Sequence, residues 1–194
     1  MFPFASQLDQ AAFYVVYVGW ILSLILERVI IFRSGQSATR VRRDRGSLLI
    51  IYGSIFISIT IAFYFAQSRV WILPDWAFYL GIVMMLLGIF VREWAVVTLR
   101  RYFSYSVRVR KDHKVVQNGP YRVVRHPAYT GTMLTIIGIG FALRTWAGVL
   151  VLAVLFTLAF AYRVKVEEKL LTGELGDDYL QYMKRTKRLI PFIL

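Results

Sequence analysis

Five long apolar segments follow one another along the chain, separated by short polar stretches. Runs of this length predict membrane-spanning helices, because a helix satisfies its own backbone hydrogen bonds in lipid. The predicted spans are about Ala11–Phe32, Ser47–Ala66, Trp76–Val97, Ala128–Leu143 and Ala147–Tyr162. The predicted fold class is therefore all-α, a polytopic membrane protein with about five transmembrane helices.

The last two spans are the most closely linked. Only Arg144-Thr145-Trp146 separates them, which predicts a tight antiparallel helical hairpin. The fourth span has about 16 residues, fewer than the roughly 20 that a straight crossing needs. We therefore expect the hairpin to be tilted or to cross the membrane incompletely.

Basic residues cluster in alternate loops. Residues 33–45 hold five, 98–126 hold eight and 163–194 hold seven, whereas Arg69 and Arg144 are alone in the intervening loops. Basic loops stay on the cytoplasmic side, which predicts an outside N-terminus and a cytoplasmic C-terminus. The expected location is the cell membrane for a prokaryotic chain and the endoplasmic reticulum for a eukaryotic one.

Composition narrows the possible partners. Hydrophobic residues make up 58% of the chain, and its net charge of +13 lies in clusters between apolar segments. Such clusters favour contact with anionic lipid over nucleic acid. The absence of cysteine excludes disulfides and thiolate chemistry. With two histidines and no cysteine, a metal site is not expected either.

The segment from Val166 to Lys187 mixes charged and apolar residues after the last span. Gly173 and Gly176 interrupt it, so we expect a helix, a break and a second amphipathic helix. This second helix either lies on the membrane surface or forms a wall over a cytoplasmic pocket. No repeat or linker divides the chain, which predicts a single domain over 1–194.

The most distinctive stretch is 113–131, HKVVQNGPYRVVRHPAYTG, which leads from a basic loop into the fourth span. Pro127 suits the first turn of a helix, so His126 stands just before the helix start, where free backbone N–H groups favour a polar ligand or an anion. Tyr129 and Gly131 follow within one turn. The spacing of Gly131, Thr135 and Gly138 predicts close packing on a neighbouring helix.

Charged residues at two helix ends have no evident partner in the sequence. Arg163 and Glu167 are one turn apart, which allows an intrahelical ion pair, but one of the adjacent carboxylates Glu167 and Glu168 then still needs another cation or a positively charged ligand. Arg92, followed by Glu93, lies inside the third span, where it either snorkels to the interface or belongs to a site. No Ser-His-Asp or Cys-His set, P-loop or GxGxxG sequence is present, which counts against hydrolysis and phosphoryl transfer.

The motif HxVV–x4–Y–x4–HPAY–x–G, followed by RxxxEE after a short apolar hairpin, resembles the isoprenylcysteine carboxyl methyltransferases. The wider group includes phospholipid N-methyltransferases. In length and number of spans the chain is most similar to the archaeal members of this family. The specific match runs from Lys111 to about Pro191.

This resemblance implies S-adenosylmethionine as cofactor, S-adenosylhomocysteine as product and a lipophilic carboxylate as methyl acceptor. It implies that 1–97 anchors the protein and that 98–194 binds cofactor and substrate. Arg163 and Glu167 are the implied catalytic residues, with Arg163 on the substrate carboxylate. The implied cofactor-binding residues are His113, Lys114, Val115, Val116, Tyr121, His126, Pro127, Ala128, Tyr129 and Glu167.

Three alternatives remain on the sequence alone. An N-methyltransferase acting on phospholipids or amines belongs to the same group. Sterol reductases carry an HPNYxGE-like sequence and use NADPH, but Ala128 and Thr132 replace the Asn and Glu here. A non-enzymatic transporter is the least favoured, because the polar residues collect at helix ends. The acceptor is expected to come sideways from the bilayer, and the oligomeric state is left open.

Overall fold

The computed structural model describes residues 4, 6–33, 39–42, 46–69, 71–103, 108–110 and 115–189. The described helices are α1 (Gln7–Arg33), α2 (Ser47–Gln67), α3 (Trp76–Leu99), α4 (Pro127–Ala142), α5 (Trp146–Leu175) and α6 (Asp177–Arg185). Short 3-10 helices cover Arg100–Tyr102 and Gly119–Arg122, and two strands cover β1 (Thr39–Arg42) and β2 (Arg108–Arg110). We call the end of the bundle where α1 and α3 end and α2 and α4 begin the basic end.

Four helices, α1, α2, α3 and α5, are long and apolar enough to cross a membrane, and α4 is a shorter apolar helix. Their outward faces carry exposed large side chains such as Leu22, Phe56, Phe90 and Leu158. Apolar surface of this extent requires lipid instead of water. The chain is therefore an integral membrane protein, and the prediction of a helical polytopic fold is confirmed.

Helices α3 and α4 lie against each other through glycines. A Cβ on Gly131 would lie 2.6 Å from the carbonyl oxygen of Gly88, and one on Gly138 would lie 2.8 Å from that of Gly81. Thr135, between the two α4 glycines, is fully buried. Small residues let helix backbones approach closely, so the predicted packing stripe on α4 does contact a neighbouring helix.

The turn between α4 and α5 is short and fixed by polar contacts. The Thr145 side chain caps α5 by accepting a hydrogen bond from the backbone N–H of Gly148. Arg144 donates to the carbonyl oxygen of Leu73 at 3.2 Å and forms an ion pair with Asp75. These contacts tie the predicted helical hairpin to the start of α3.

Helix α5 is longer than the predicted span that ended at Tyr162. It runs through Gly173 without a break and ends at Leu175, just before Gly176, where φ is +55°. The expected interruption at Gly173 is therefore wrong, because a single helical glycine costs only about 1 kcal/mol and the helix is stabilised by packing elsewhere. Gly176 breaks the helix since its backbone adopts a conformation that favours glycine.

The structure adds a two-stranded antiparallel ribbon that the all-α prediction did not include. Strands β1 and β2 pair Val41 with Val109 and Arg42 with Arg108, with an irregularity next to Thr39. The ribbon joins the loop after α1 to the loop after α3. Strands of three or four residues rich in arginine give no alternating apolar pattern, which explains why the sequence did not predict them.

We predict that Gly81→Ala lowers the stability of the folded protein by about 1–3 kcal/mol, the usual cost of overpacking. The added Cβ would lie 2.3 Å from the backbone nitrogen of Ala142, which cannot move away without shifting α4. Thermal unfolding in detergent measures the effect. Gly53→Ala is the control, because an added Cβ there meets no atom within 4 Å. Equal unfolding temperatures for the two variants would contradict the packing described for α3 and α4.

Candidate active site

A cavity of about 340 Å³ lies at the basic end of the bundle. One wall is polar and aromatic and is formed by α4, α5, α6 and the 3-10 helix Gly119–Arg122. The other wall is apolar and is formed by the ends of α1 and α2 that meet there. A cavity with these two walls suits a ligand, or a pair of ligands, with a charged part and an apolar part.

The polar wall is organised by a chain of three side chains. The Arg163 Nε donates to the Tyr129 Oη at 3.0 Å, and the Tyr129 hydroxyl donates to the Glu167 Oε2 at 2.5 Å. The direct Arg163–Glu167 distance is 4.0 Å, so the phenol is inserted into the intrahelical ion pair that the sequence allowed. Arg163 is 2% exposed, whereas the Glu167 side chain retains 28% exposure. The carboxylate is therefore the more accessible of the two charges.

Aromatic stacking holds the Tyr129 ring in place. Its ring centroid lies 5.4 Å from that of His126 and 4.9 Å from that of Phe160, and both pairs are stacked. The three rings come from the N-terminal edge of α4 and from the middle of α5. Since His126, Tyr129 and Phe160 all line the cavity, the polar wall also presents π-electron surface.

Glu168, the second of the two adjacent carboxylates of α5, is hydrogen-bonded to two arginines. It accepts a hydrogen bond from the Arg125 Nε at 2.8 Å and one from the Arg188 Nε at 3.1 Å. The His126 Nε2 lies 3.4 Å from the same carboxyl group. Glu168 is thus the carboxylate that pairs with the additional cations. Glu167 lines the cavity.

Residues 186–189 form a strap that holds the start of α4. The Arg125 N–H donates to the carbonyl oxygen of Lys187 at 2.7 Å, and the His126 N–H donates to that of Arg188 at 3.1 Å. The Arg125 side chain also donates to the carbonyl oxygens of Met183 and Thr186. The strap therefore satisfies the backbone N–H groups of the two residues that precede α4.

Helix α6 forms a wall of the cavity. Its two buried residues, Tyr179 and Tyr182, both line the cavity, and the Tyr182 hydroxyl donates to the carbonyl oxygen of Tyr121 at 2.7 Å. Burial raises the pKa of Tyr182 to about 12 and holds that of Tyr121 well above its usual value. Both phenols thus stay neutral at physiological pH. Of the two expectations for this helix, the structure favours the wall.

Arg92 is buried at the inner end of the cavity instead of snorkelling. It donates through Nε and Nη2 to the two carboxylate oxygens of Glu27, at 3.0 and 2.7 Å, and through Nη1 to the Thr132 hydroxyl at 2.9 Å. A bidentate pair of this kind is geometrically specific. Arg92 therefore ties α1 and α4 to α3 at the cavity, and the snorkelling alternative is wrong.

The apolar wall comes from helices that the sequence analysis regarded as anchors. Its members on α1 and α2 are Trp20, Ile21, Leu24, Ile51 and Ile55. At the rim the Arg28 guanidinium donates to the Tyr52 hydroxyl at 3.0 Å and lies 5.5 Å from the ring centroid. Ile25 and Tyr52 are exposed at this rim.

Most of the predicted site residues meet at this cavity. Its lining includes eight of them: Val115, Val116, Tyr121, His126, Ala128, Tyr129, Arg163 and Glu167. Pro127 is buried as the first residue of α4 and does not line the cavity. His113 and Lys114 lie outside the described residues. Among the residues that the structure describes, no group of three or more His, Cys, Asp or Glu is arranged to hold a metal ion.

Other functional candidates were missed by sequence reasoning. Ser47 contacts Arg163, Thr132 contacts Arg92, and Tyr182 contacts the backbone of Tyr121. These partners are far apart along the chain and carry no local motif. A signal was available only for α6, whose amphipathic pattern indicated one buried face.

Comparison with known proteins adds an independent observation. Residues 80–173 match the model of the isoprenylcysteine carboxyl methyltransferase (ICMT) family. Protein-S-isoprenylcysteine O-methyltransferase B of Arabidopsis thaliana is 31% identical over 120 residues, which are 61% of this chain and 61% of the plant protein. The protein-S-isoprenylcysteine O-methyltransferase of Schizosaccharomyces pombe is 34% identical over 109 residues, 55% of this chain and 46% of the yeast protein. The chain thus spans less than two thirds of either relative.

The fold is also similar to a solved structure, that of a eukaryotic intramembrane Ras methyltransferase, ICMT. The TM-score is 0.60 at 24% sequence identity, and the match covers 79% of this chain and 55% of that one. Fold and cavity together define an integral membrane protein with a site that is half polar and half apolar. Residues 80–173 are similar in sequence to the isoprenylcysteine carboxyl methyltransferase family, and this match confirms the resemblance that the motifs predicted.

We predict that Glu168→Gln destabilises the protein by about 3 kcal/mol, because Arg125 would lose the carboxylate that compensates its buried charge. Arg188→Ala should cost less than about 1 kcal/mol, since Arg188 meets the same carboxylate from a largely exposed position. Thermal unfolding of both variants in one detergent gives the comparison. If Arg188→Ala were as damaging as Glu168→Gln, Arg125 would not be the main partner of Glu168.

Proposed function

We propose that this protein transfers a methyl group from S-adenosylmethionine to the carboxylate of a lipophilic acceptor, of the isoprenylcysteine type or similar to it. The observation that carries the proposal is the Arg163–Tyr129–Glu167 chain, which lies where the polar wall of the cavity meets the apolar wall. The match of residues 80–173 to the isoprenylcysteine carboxyl methyltransferase family model supports the same reaction.

The polar wall fits the cofactor. S-adenosylmethionine carries a sulfonium and an ammonium group, and the accessible Glu167 carboxylate beside the Tyr121 and Tyr129 rings offers a negative charge and π faces to them. Val115 and Val116 line the same side and provide backbone groups for the adenine. His113, Lys114, His126, Pro127 and Ala128 complete the proposed binding set. The cofactor supplies the methyl group and a neutral thioether leaving group.

The acceptor belongs at Arg163. A guanidinium recognises a carboxylate through parallel hydrogen bonds, and Arg163 is held at the cavity by fixed neighbours instead of free in water. The apolar part of the acceptor then lies along α1 and α2, next to Leu24 and Ile51. The exposed rim at Ile25 and Tyr52 is where an acceptor comes in from the bilayer.

The chain needs no proton transfer for this reaction. A carboxylate is already a nucleophile at neutral pH, so the carboxylate oxygen bonds to the methyl carbon while the carbon–sulfur bond breaks and its electron pair stays on sulfur. What Arg163 and Glu167 contribute is alignment of the two reactants in a site that excludes water.

The cavity is proposed to face the cytoplasm. The basic segments 33–45 and 98–126 follow α1 and α3 in the sequence, and these two helices end at the basic end. Basic loops are retained on the cytoplasmic side of membranes. The cofactor would then come from the cytoplasm and the acceptor from the adjoining leaflet. This orientation puts the N-terminus outside and the C-terminus inside.

Two binding titrations and one transfer assay test the proposed function. Calorimetry of the detergent-purified protein should show heat with S-adenosylhomocysteine and none with NADPH. Radiolabelled methyl should then pass from S-adenosylmethionine to N-acetyl-S-farnesylcysteine but not to its methyl ester, which lacks the free carboxylate. Heat with NADPH alone would favour a reductase, and label passing to a phospholipid amine instead would favour N-methylation.

We predict that substitutions of the two charged α5 residues separate cofactor binding from acceptor binding. Glu167→Gln should weaken S-adenosylhomocysteine binding about tenfold or more, because a charge-assisted contact to its ammonium group is lost. Arg163→Lys should leave this binding close to that of the unaltered chain and raise the KM for the acceptor, since lysine lacks the bidentate fork. Calorimetry and steady-state kinetics provide the two readouts. Equal loss of cofactor binding in both variants would contradict the assignment.

A further inference from the structure

Ser47 is an unusual residue to find fully buried at the start of a membrane helix. It is the first residue of α2 and follows Gly46, whose φ is +75°. A buried hydroxyl needs hydrogen-bond partners to offset its loss of water. One of these partners is Arg163 of α5, whose Nη1 donates to the Ser47 Oγ at 2.7 Å.

Two hydroxyl groups hold the Arg163 guanidinium from different sides. The Tyr129 Oη accepts from Nε at 3.0 Å, and the Ser47 Oγ accepts from Nη1 at 2.7 Å. Since a guanidinium is planar, contacts to two of its nitrogens fix both its position and its rotation about the side chain. Arg163 therefore meets any acceptor with a preset orientation.

The same helix also carries part of the apolar wall. Leu48, Ile51 and Ile55 follow Ser47 on α2 and line the cavity. The contact of Ser47 with Arg163 thus fixes the distance between the charge that binds a carboxylate and the surface that binds an apolar chain. A ligand has to match both at once.

We propose that Ser47 is a positioning residue for acceptor recognition, orienting Arg163 toward the acceptor carboxylate and holding α2 in register with it. The inference rests on the proposed carboxyl methylation. It assigns part of the selectivity for lipophilic carboxylates to α2, within the half of the chain that the sequence indicated as an anchor. Ser47 touches neither reactant and acts through Arg163.

A purely structural role for Ser47 would have different consequences from a positioning role. If its hydroxyl served only to satisfy buried polar groups, its loss would lower stability and affect cofactor and acceptor alike. A positioning role changes the acceptor KM and leaves cofactor binding intact. Ser58 is a matched control, because it is a fully buried serine of the same helix whose hydroxyl donates to the carbonyl oxygens of Ser54 and Ile55 and which does not line the cavity.

The experiment compares Ser47→Ala, Ser47→Cys and Ser47→Thr with Ser58→Ala in the full chain. The measurements are the Kd for S-adenosylhomocysteine, which also shows that each variant folds, and the KM and kcat for N-acetyl-S-farnesylcysteine. Alanine should raise the acceptor KM roughly tenfold or more, because a hydrogen bond from a charged group is lost. Cysteine, a weaker acceptor, should give an intermediate KM, and threonine should restore it.

The Kd for S-adenosylhomocysteine should equal that of the unaltered chain in every Ser47 variant, and Ser58→Ala should change neither constant. An unchanged acceptor KM in Ser47→Ala would overturn the inference. So would a rise in KM and Kd by the same factor, or a threonine variant no better than alanine. If the unaltered chain methylated no carboxylate at all, the proposed function would fail together with the inference, whereas failure of the Ser47 variants alone leaves the proposed function standing.

Discussion

Burying a positive charge in an apolar bundle requires a partner that compensates it, and three buried arginines organise this molecule around that requirement. Arg163 on α5 is satisfied by hydroxyl groups of α2 and α4. Arg92 on α3 is satisfied by Glu27 of α1 and Thr132 of α4. Arg125, just before α4, is satisfied by Glu168 of α5, by the Met183 carbonyl oxygen of α6 and by the strap after α6. Every described helix thus takes part in at least one of these clusters.

The same requirement explains where the cavity lies. At their glycine contacts, α3 and α4 pack too closely for a side chain to lie between them. The cavity lies instead at the basic end of the bundle. There the polar partners of the arginines and the apolar ends of α1 and α2 face one another. A site that unites a water-soluble cofactor with a membrane-bound acceptor needs this combination, and the arginine clusters hold its two walls together.

Much of the fold followed from the sequence, because apolar segments and short turns are local signals. The spans, the hairpin around Arg144 and the glycine stripe on α4 depend on residues close together in the chain. The continuity of α5 beyond Tyr162 was missed, because the charged segment after the span was predicted as a separate helix from Val166 onward. The ribbon was missed because its strands are too short for a pattern.

The site was predicted only where its residues belong to local sequence motifs. Tyr129 and Glu167 belong to recognisable motifs, and the structure brings them into contact. Ser47, Glu27 and Arg188 meet their arginine or carboxylate partners only through the tertiary fold, and no spacing in one sequence reveals such pairs. The neighbouring carboxylates of α5 illustrate the difference: the sequence showed that one needed a cation, and only the fold showed that it is Glu168.

The central claim is that one cavity binds a charged group at Arg163 and an apolar chain along α1 and α2. The most direct measurement is photoaffinity labelling with a farnesylcysteine analogue that carries a benzophenone at the far end of its apolar chain. The label should fall on the segments 20–28 and 48–55 that line the cavity and should be suppressed by excess unlabelled acceptor. Label on the outward faces of α3 and α5 that competitor does not suppress would contradict it.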